Sequence, residues 1–366
     1  MYGKWLIATA TLLACGCLDV ADERARIDAR VGQADGDAGS VRVAGGLAAI
    51  RGLSAGRLHL WASAPGLDIT LDPESGSPST WRVRIENTMP DATLVGAVDG
   101  VPLEVTLTDS PVATERTWRV ELPAGTESAS LQLRVPDAGE TGAYRYAVFA
   151  DVQEAIDDVQ DIYARMNADA SIRFVLMSGD LTSQGEEAEL ERFQRELKEL
   201  RVPVFSTLGN HELGASEGNY HRYFGRGSRH FAFRGAHFTL LDDASATLAP
   251  QVYGWLDDWL AEGDDAFHSV YMHIPPLDAS GIRNGAFASR AEANMLLGRL
   301  ARAGVDLTVY GHVHSFYAYS NAGIPAFITG GGGAIPEQLD RIGRHFVTVD
   351  VDPATQLLQT AIVHVD

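Results

Sequence analysis

Past residue 17 this 366-residue sequence has no cysteine at all. Its only two, Cys15 and Cys17, sit two residues apart at the end of an N-terminal apolar run, which excludes a disulfide framework and soft thiolate metal sites in the body of the protein. Positive charge is also scarce: 29 Lys and Arg stand against 49 Asp and Glu, for a formal net charge of -20. An acidic surface repels a polyphosphate backbone before contact, so a long nucleic-acid partner is disfavoured. A small phosphate ester stays open, because cations held at a site reverse the potential there. Beyond the first residues no stretch approaches the ~20 apolar residues of a membrane-spanning helix, and no internal repeat is present. The 45% hydrophobic and 21% charged content excludes wholesale disorder.

What is present begins with Met1-Tyr2-Gly3-Lys4 and an apolar run from Trp5 to Leu13. One positive charge, a short apolar core and small residues at its end form an export signal over residues 1–17. Leu12-Leu13-Ala14-Cys15 resembles a bacterial lipoprotein cleavage site, with Cys17 after Gly16 as the competing acceptor. An ordinary signal peptide that happens to contain cysteines is the alternative. The expectation is an exported protein, periplasmic or at the cell surface, held to the membrane through an N-terminal lipid anchor. Residues 18–40, rich in Asp, Ala, Arg and Gly without an apolar period, read as a solvated linker.

Between residues 41 and 140 apolar residues fall on alternate positions, as in Trp81-Arg82-Val83-Arg84-Ile85 and Trp118-Arg119-Val120-Glu121-Leu122. Period two with polar partners marks half-buried antiparallel strands, and turn formers such as Asp99-Gly100 and Pro123-Ala124-Gly125 separate them. One-sided sheets bury their apolar faces on each other, so the expected architecture is a small all-β sandwich of immunoglobulin-like type. Arg82, Arg84 and Arg119 read as its solvated face.

From residue 141 to the end the pattern is α/β. The run Tyr144–Ala150 leads into Asp151, Ile172–Met177 into Ser178-Gly179-Asp180, and Val202–Thr207 into Leu208-Gly209-Asn210-His211-Glu212. Helical patterns lie between them, with Ile156, Val159, Ile162 and Met166 on one face and Leu190, Phe193, Leu197 and Leu200 on another. Further strands are expected at 231–233, 237–241, 270–273, 307–310, 326–329, 345–351 and 358–363, with helices at 252–262 and 288–303. Each of several strands ends in polar residues of unusual type. Open α/β sheets place ligands beyond the carboxyl ends of their strands, so these clusters converge.

The residue types point to metal. Two carboxylates, an asparagine oxygen and imidazoles make a mixed O/N set suited to Mn, Fe or Zn. In His312-Val313-His314 residues two apart point to the same side of an extended chain, so both imidazoles face one cavity. Taken singly an Asp after a strand is more often a turn or cap residue. Five such motifs in this order resemble the calcineurin-like metallophosphoesterases: Asp151-Val152-Gln153, Gly179-Asp180, Gly209-Asn210-His211-Glu212, His273 and Gly311-His312-Val313-His314. The resemblance spans about Tyr144 to Asp366 and implies a four-layer fold, two packed mixed sheets flanked by helices. It implies two divalent metal ions, with Asp151 and His314 on one, Asp180 bridging, and Asn210, His273 and His312 on the other. Gln153 stands where the family commonly has a histidine ligand, and an amide oxygen is the weaker donor. His211 matches the histidine that faces the phosphate and the leaving oxygen. Ser183 replaces the tyrosine ligand of purple acid phosphatases and the aspartate that orients the catalytic histidine in phosphoprotein phosphatases, which leaves the orienting partner of His211 unidentified.

The implied activity is hydrolysis of small phosphate mono- or diesters by hydroxide activated between two metals, outside the cytoplasm. A surface binding protein on the same fold, weak or inactive because of Gln153, is the competing reading. Of the remaining polar residues, Asp242-Asp243 read as supports behind the ligands and His221 and His230 as satisfied histidines. Trp255 and Trp259 read as core, and Gly330–Gly333 either as a close approach to the metals or as a loose loop.

Overall fold

The computed structural model describes residues 20–281, 285–336 and 342–365. The export signal and its cysteines lie outside the described residues. No helix among the described residues is long and apolar enough to cross a membrane.

Residues 20–28 are helical and do not form the solvated linker expected over 18–40. Ala21 and Ala25, four apart, are buried in a cluster with Leu241, Leu248 and Val252. On the same helix Arg24 is fully buried: its Nε and Nη2 reach Asp242 at 2.6 and 3.1 Å, its Nη1 meets Glu217 at 3.0 Å and its Nη2 also meets Ser245 at 2.9 Å. One turn on, Asp28 pairs with His221 at 3.0 Å and accepts from the backbone N–H groups of Gly227 and Ser228. The partners of these charges lie some two hundred residues away, which is why the segment looks solvated in isolation. The next residues are structured too: Gln33–Gly36 and Gly39–Val43 are strands, so the all-β region starts well before residue 41.

That region comprises two sheets. One runs in the order Gln33–Gly36, Gly39–Val43, Leu67–Pro73, Ala129–Arg134, Thr93–Val98, Val101–Pro102; the other Ala48–Ser54, Arg57–Ala62, Thr80–Glu86, Glu115–Glu121, Glu104–Asp109. Pairing is antiparallel except between Arg57–Ala62 and Thr80–Glu86, which run parallel. Alternate residues face inward, so Leu58, Leu60, Val83, Ile85, Leu131 and Leu133 share one core.

The α/β part is built on two mixed sheets. The first runs Val204–Thr207, Ile172–Ser178, Tyr144–Phe149, His345–Asp352, Leu357–His364; the second Arg229–Phe233, Ala236–Leu240, Phe267–Tyr271, Leu307–Tyr310, Ile324–Thr329, Phe316–Asn321. Phe316–Asn321 is a strand the periodicity does not mark, because its inward side is only partly buried. Between the sheets the core is aromatic: Tyr146 stacks on Phe174 at 5.4 Å, Phe174 meets Phe238 edge-on at 5.4 Å, and the hydroxyls of Tyr146 and Tyr271 bond at 2.7 Å. Helices Gln160–Asn167 and Glu187–Glu196 bury Ile162, Met166, Leu190 and Phe193 on the first sheet's outer face. Pro250–Glu262 and Arg290–Arg302 cover the second with Val252, Leu256, Leu296 and Leu300. The result is the expected four layers, two packed mixed sheets flanked by helices, preceded by an all-β region.

The two parts are docked closely. Asn87 donates to the carbonyls of Ala62 and Val204 and accepts from the Val204 N–H, closing the edge of the first α/β sheet. Trp61 packs edge-on against Phe224 at 5.5 Å.

Candidate metal centre

The parallel strands of both sheets deliver the site residues at their carboxyl ends. Asp151 follows Tyr144–Phe149, Asp180 follows Ile172–Ser178, Asn210 and His211 follow Val204–Thr207, His273 follows Phe267–Tyr271, and His312 follows Leu307–Tyr310. The chain must turn sharply there without losing its register. Asp151, Gln153, Asp180 and His312 all hold positive φ, between 49° and 70°, a region that L-residues other than glycine adopt at a cost of order 1–3 kcal/mol each. Backbone bonds fix these turns: Val152 N–H donates to Asp180 O at 2.9 Å, Gly311 N–H to His273 O at 3.0 Å and Gly332 N–H to Ala150 O at 2.8 Å. Of the two readings of Gly330–Gly333, the close approach is the right one. A Cβ on Gly330 would stand 2.9 Å from Asp151 Oδ2, and one on Gly332 would stand 2.4 Å from Ala150 O.

All seven residues expected as ligands face one another in two groups. Gln153 Nε2 lies 2.8 Å from Asp180 Oδ2 and 3.2 Å from His314 Nε2, and His314 Nε2 is 3.6 Å from Asp151 Oδ1. On the other side His273 Nε2 is 3.2 Å from Asp180 Oδ2 and 3.1 Å from Asn210 Oδ1, which in turn is 2.9 Å from His312 Nδ1. Asp180 Oδ2 belongs to both groups. Asp151, Asp180 and His273, all buried, also bring ligand atoms within 4.8 Å of one another.

Supports behind the ligands fix which nitrogen points inward. Nδ1 of His273 bonds the Ser178 carbonyl at 2.8 Å and Nδ1 of His314 the Ile335 carbonyl at 2.7 Å, so both present Nε2; His312 presents Nδ1. Asp243 accepts from the backbone N–H groups of His273 and Ile274, and burial raises its pKa to about 7. Asp242 instead pairs with Arg24. Glu212 accepts from the N–H groups of Gly209 and Thr182 and from the Thr182 hydroxyl, holding the Gly209–Asn210 turn. Burial and the neighbouring Asp180 push its pKa up to about 7.

The donor set fits cations. Donor atoms sharing one ion at ~2.1 Å lie ~3.0–3.4 Å apart, close to the separations found here. Burial works against charge on Asp180, yet the adjacent His273 and His211 hold its carboxyl well below the usual range. Burial likewise disfavours a charged His273, but Asp180 and Asp151 outweigh it and raise the imidazole to about 10. The Gln153 amide matches the set once turned over, since exchanging Oε1 for Nε2 puts an oxygen lone pair between Asp180 and His314.

His211 lies at the rim, one third exposed, with Nε2 3.9 Å from Asp180 Oδ2. Its Nδ1 bonds the Ser183 backbone carbonyl at 2.7 Å. That carbonyl is the orienting partner the sequence left unidentified, and being main chain it has no residue signature. His221 and His230 stand away from the centre, His221 on Asp28 and His230 on His237. Trp255 and Trp259 pack on the core under helix Pro250–Glu262, 6.3 Å apart.

Fold and donor set define the class, a metallohydrolase whose centre straddles the carboxyl ends of two facing sheets. Residues 144–316 match the model of the calcineurin-like phosphoesterase family, and this part of the chain belongs to that family. The protein is therefore a metal-dependent phosphoesterase. No curated protein matches its sequence significantly. Similar solved structures include PhoD, at 12% identity over 82% of this chain and 87% of that one with a TM-score of 0.48. A dimetal phosphatase from Danio rerio shares 14% identity over 62% and 100% of the two chains, TM-score 0.46. GAP50, the anchor in the inner membrane complex of Plasmodium, shares 15% over 62% and 85%, TM-score 0.45.

Proposed function

We propose that the protein hydrolyses small phosphate mono- or diesters at a dinuclear centre formed by Asp151, Gln153, Asp180 and His314 on one side and Asp180, Asn210, His273 and His312 on the other. The observation that carries this reading is the position of Asp180 Oδ2, common to both donor groups. Two divalent ions of the Mn, Fe or Zn type, when bound, supply Lewis acidity toward the phosphate oxygens and lower the pKa of water toward neutrality. The chain's own residues do the rest. Asp180 balances the charge of both ions, and the backbone N–H of His211 donates to its Oδ1 at 3.0 Å, so the carboxylate cannot rotate away. His211, with Nδ1 held by Ser183 O, aims Nε2 into the mouth of the site, where it donates to the leaving oxygen as charge develops there.

The finer parts of this reading rest on sequence. The N-terminal apolar run and Cys15 or Cys17 support an exported, lipid-anchored protein at the periplasmic face or cell surface. The charge of -20 speaks for a small ester and against long nucleic acid. We read the all-β region as an immunoglobulin-like sandwich without a catalytic part. The test is to purify the protein, count metals, and assay p-nitrophenyl monoester against bis-ester with Mn, Zn and Fe. Asp180→Ala and His312→Ala are expected to lose metal and turnover together. Two bound metals with no turnover of either ester would leave the non-catalytic binding protein as the correct reading.

A further inference from the structure

A second group of imidazoles lies outside the centre. His230 is on strand Arg229–Phe233 and His237 on the antiparallel strand Ala236–Leu240; His237 also pairs in register with His268 on Phe267–Tyr271. Phe231, Phe233 and Phe238 fill the core between the sheets, so the intervening His230 and His237 project to the other face, under helix Pro250–Glu262. There His230 Nε2 is 2.9 Å from His237 Nδ1, His230 Nδ1 is 3.7 Å from Glu262 Oε2, and the three residues bring ligand atoms within 4.8 Å of one another.

We infer that His230, His237 and Glu262 form a third metal site, for a zinc-like ion, separate from the dinuclear centre. His268, beside both imidazoles, is the second residue of the strand that His273 follows, so about 16 Å of extended chain separates His268 from His273. Two imidazoles and a carboxylate are a borderline-soft set that suits zinc and leaves a fourth position for water. Ligands on a tetrahedral ion at ~2.05 Å stand ~3.3 Å apart, so the two ring nitrogens need open by only ~0.4 Å. The 2.9 Å approach of these two nitrogens is held by one shared proton, which a bound ion would displace.

The surroundings hold the ligands in place. Trp259 stacks on His230 at 6.1 Å and 18°. His268 packs against both imidazoles at 5.8 Å, its Nε2 in a hydrogen bond with the Thr239 hydroxyl at 2.8 Å. Where the chain leaves the helix, Gly263 passes so close that a Cβ there would meet His268 Nδ1 at 2.5 Å. Glu262 is exposed and gives an ion a way in, while the His230 side chain is only 5% exposed. As the last helical residue, Glu262 also places the cation at the negative end of the helix dipole. A bound ion would clip the 229–240 hairpin to the end of this helix.

The test is the zinc stoichiometry of the purified full chain after zinc loading and desalting. Three ions per chain are expected for the wild type, and two for Glu262→Ala and for His237→Ala, with phosphoesterase turnover unchanged as the check on folding. In an Asp180→Ala, His312→Ala background one zinc should remain, to be lost when Glu262→Ala is added. That arm keeps the result independent of the dinuclear centre. Retention of no zinc in the Asp180→Ala, His312→Ala background overturns the inference, as does retention of the same zinc count on adding Glu262→Ala.

Discussion

Asp180 and His211 divide the work at the scale of single residues. Asp180 sits between two imidazole-bearing groups, so removing its carboxylate dismantles both halves at once, whereas His211 touches neither half's donors except through Asp180. His211→Ala is therefore expected to keep its metals and lose turnover by ~10²–10⁴, read from kcat with metal content measured alongside. Gly209 is a residue whose smallness the centre requires: a Cβ there would stand 2.1 Å from Asp180 Oδ1. Gly209→Ala should thus lower metal retention although no ligand has changed, and metal analysis of the desalted protein checks it. The raised pKa of His273 has a sign that can be tested. A group lifted to about 10 is protonated at pH 7 without metal and must give up that proton to bind one, so metal uptake releases a proton and weakens as pH falls. Calorimetry in buffers of different ionisation enthalpy should show that proton; no buffer dependence at pH 7 would contradict the assignment.

At the scale of elements, the helix over residues 20–28 is held by charges where most helices are held by apolar faces. Asp28 and His221 are both fully buried, and breaking such a pair by removing one partner costs about 3 kcal/mol or more, because the other is left uncompensated. Asp28→Asn is expected to lower stability by that order, measured by denaturant unfolding. The pH dependence follows from both partners. Burial opposes charge on Asp28, but His221 beside it holds it below its ordinary 3.8, so its contribution is complete above 3.8 and lost as pH falls through the lower folded value. Burial opposes charge on His221 too, and Asp28 raises it above 6.5, so its contribution is complete below 6.5 and lost as pH rises through the folded value. The gap in unfolding midpoint between wild type and Asp28→Asn should be widest between pH 3.8 and 6.5 and narrow above.

At the scale of the whole molecule the all-β region shares its packing with the α/β part. Ala49 and Trp61 belong to the same buried cluster as Phe149, Phe193 and Phe224, Arg229 donates to the Ser63 carbonyl, and Asn87 caps the Val204 edge. Asn87→Ala is expected to cost about 2 kcal/mol by leaving buried backbone groups at Ala62 and Val204 unpaired. A chain begun after residue 137 should be insoluble or lose cooperative unfolding, because it exposes that strand edge and the Trp61 face of the helices. A truncated protein that folds and turns over normally would show the all-β region to be a passenger.

The sequence by itself determined the parts of this protein whose signal is local. Period-two and period-3.6 patterns place the strands and helices, and strand ends carrying Asp151, Asp180, Asn210, His273, His312 and His314 announce a metal centre, because geometry along one element is set by its own residues. The tertiary structure alone decided what depends on atoms far apart in the chain. That Arg24 and Asp28 fold against Glu217, Asp242 and His221, and that His230, His237 and Glu262 meet, follows from long-range packing that no window of sequence contains. The orientation of His211, His273 and His314 comes from the carbonyls of Ser183, Ser178 and Ile335, and a main-chain oxygen is the same whatever residue bears it.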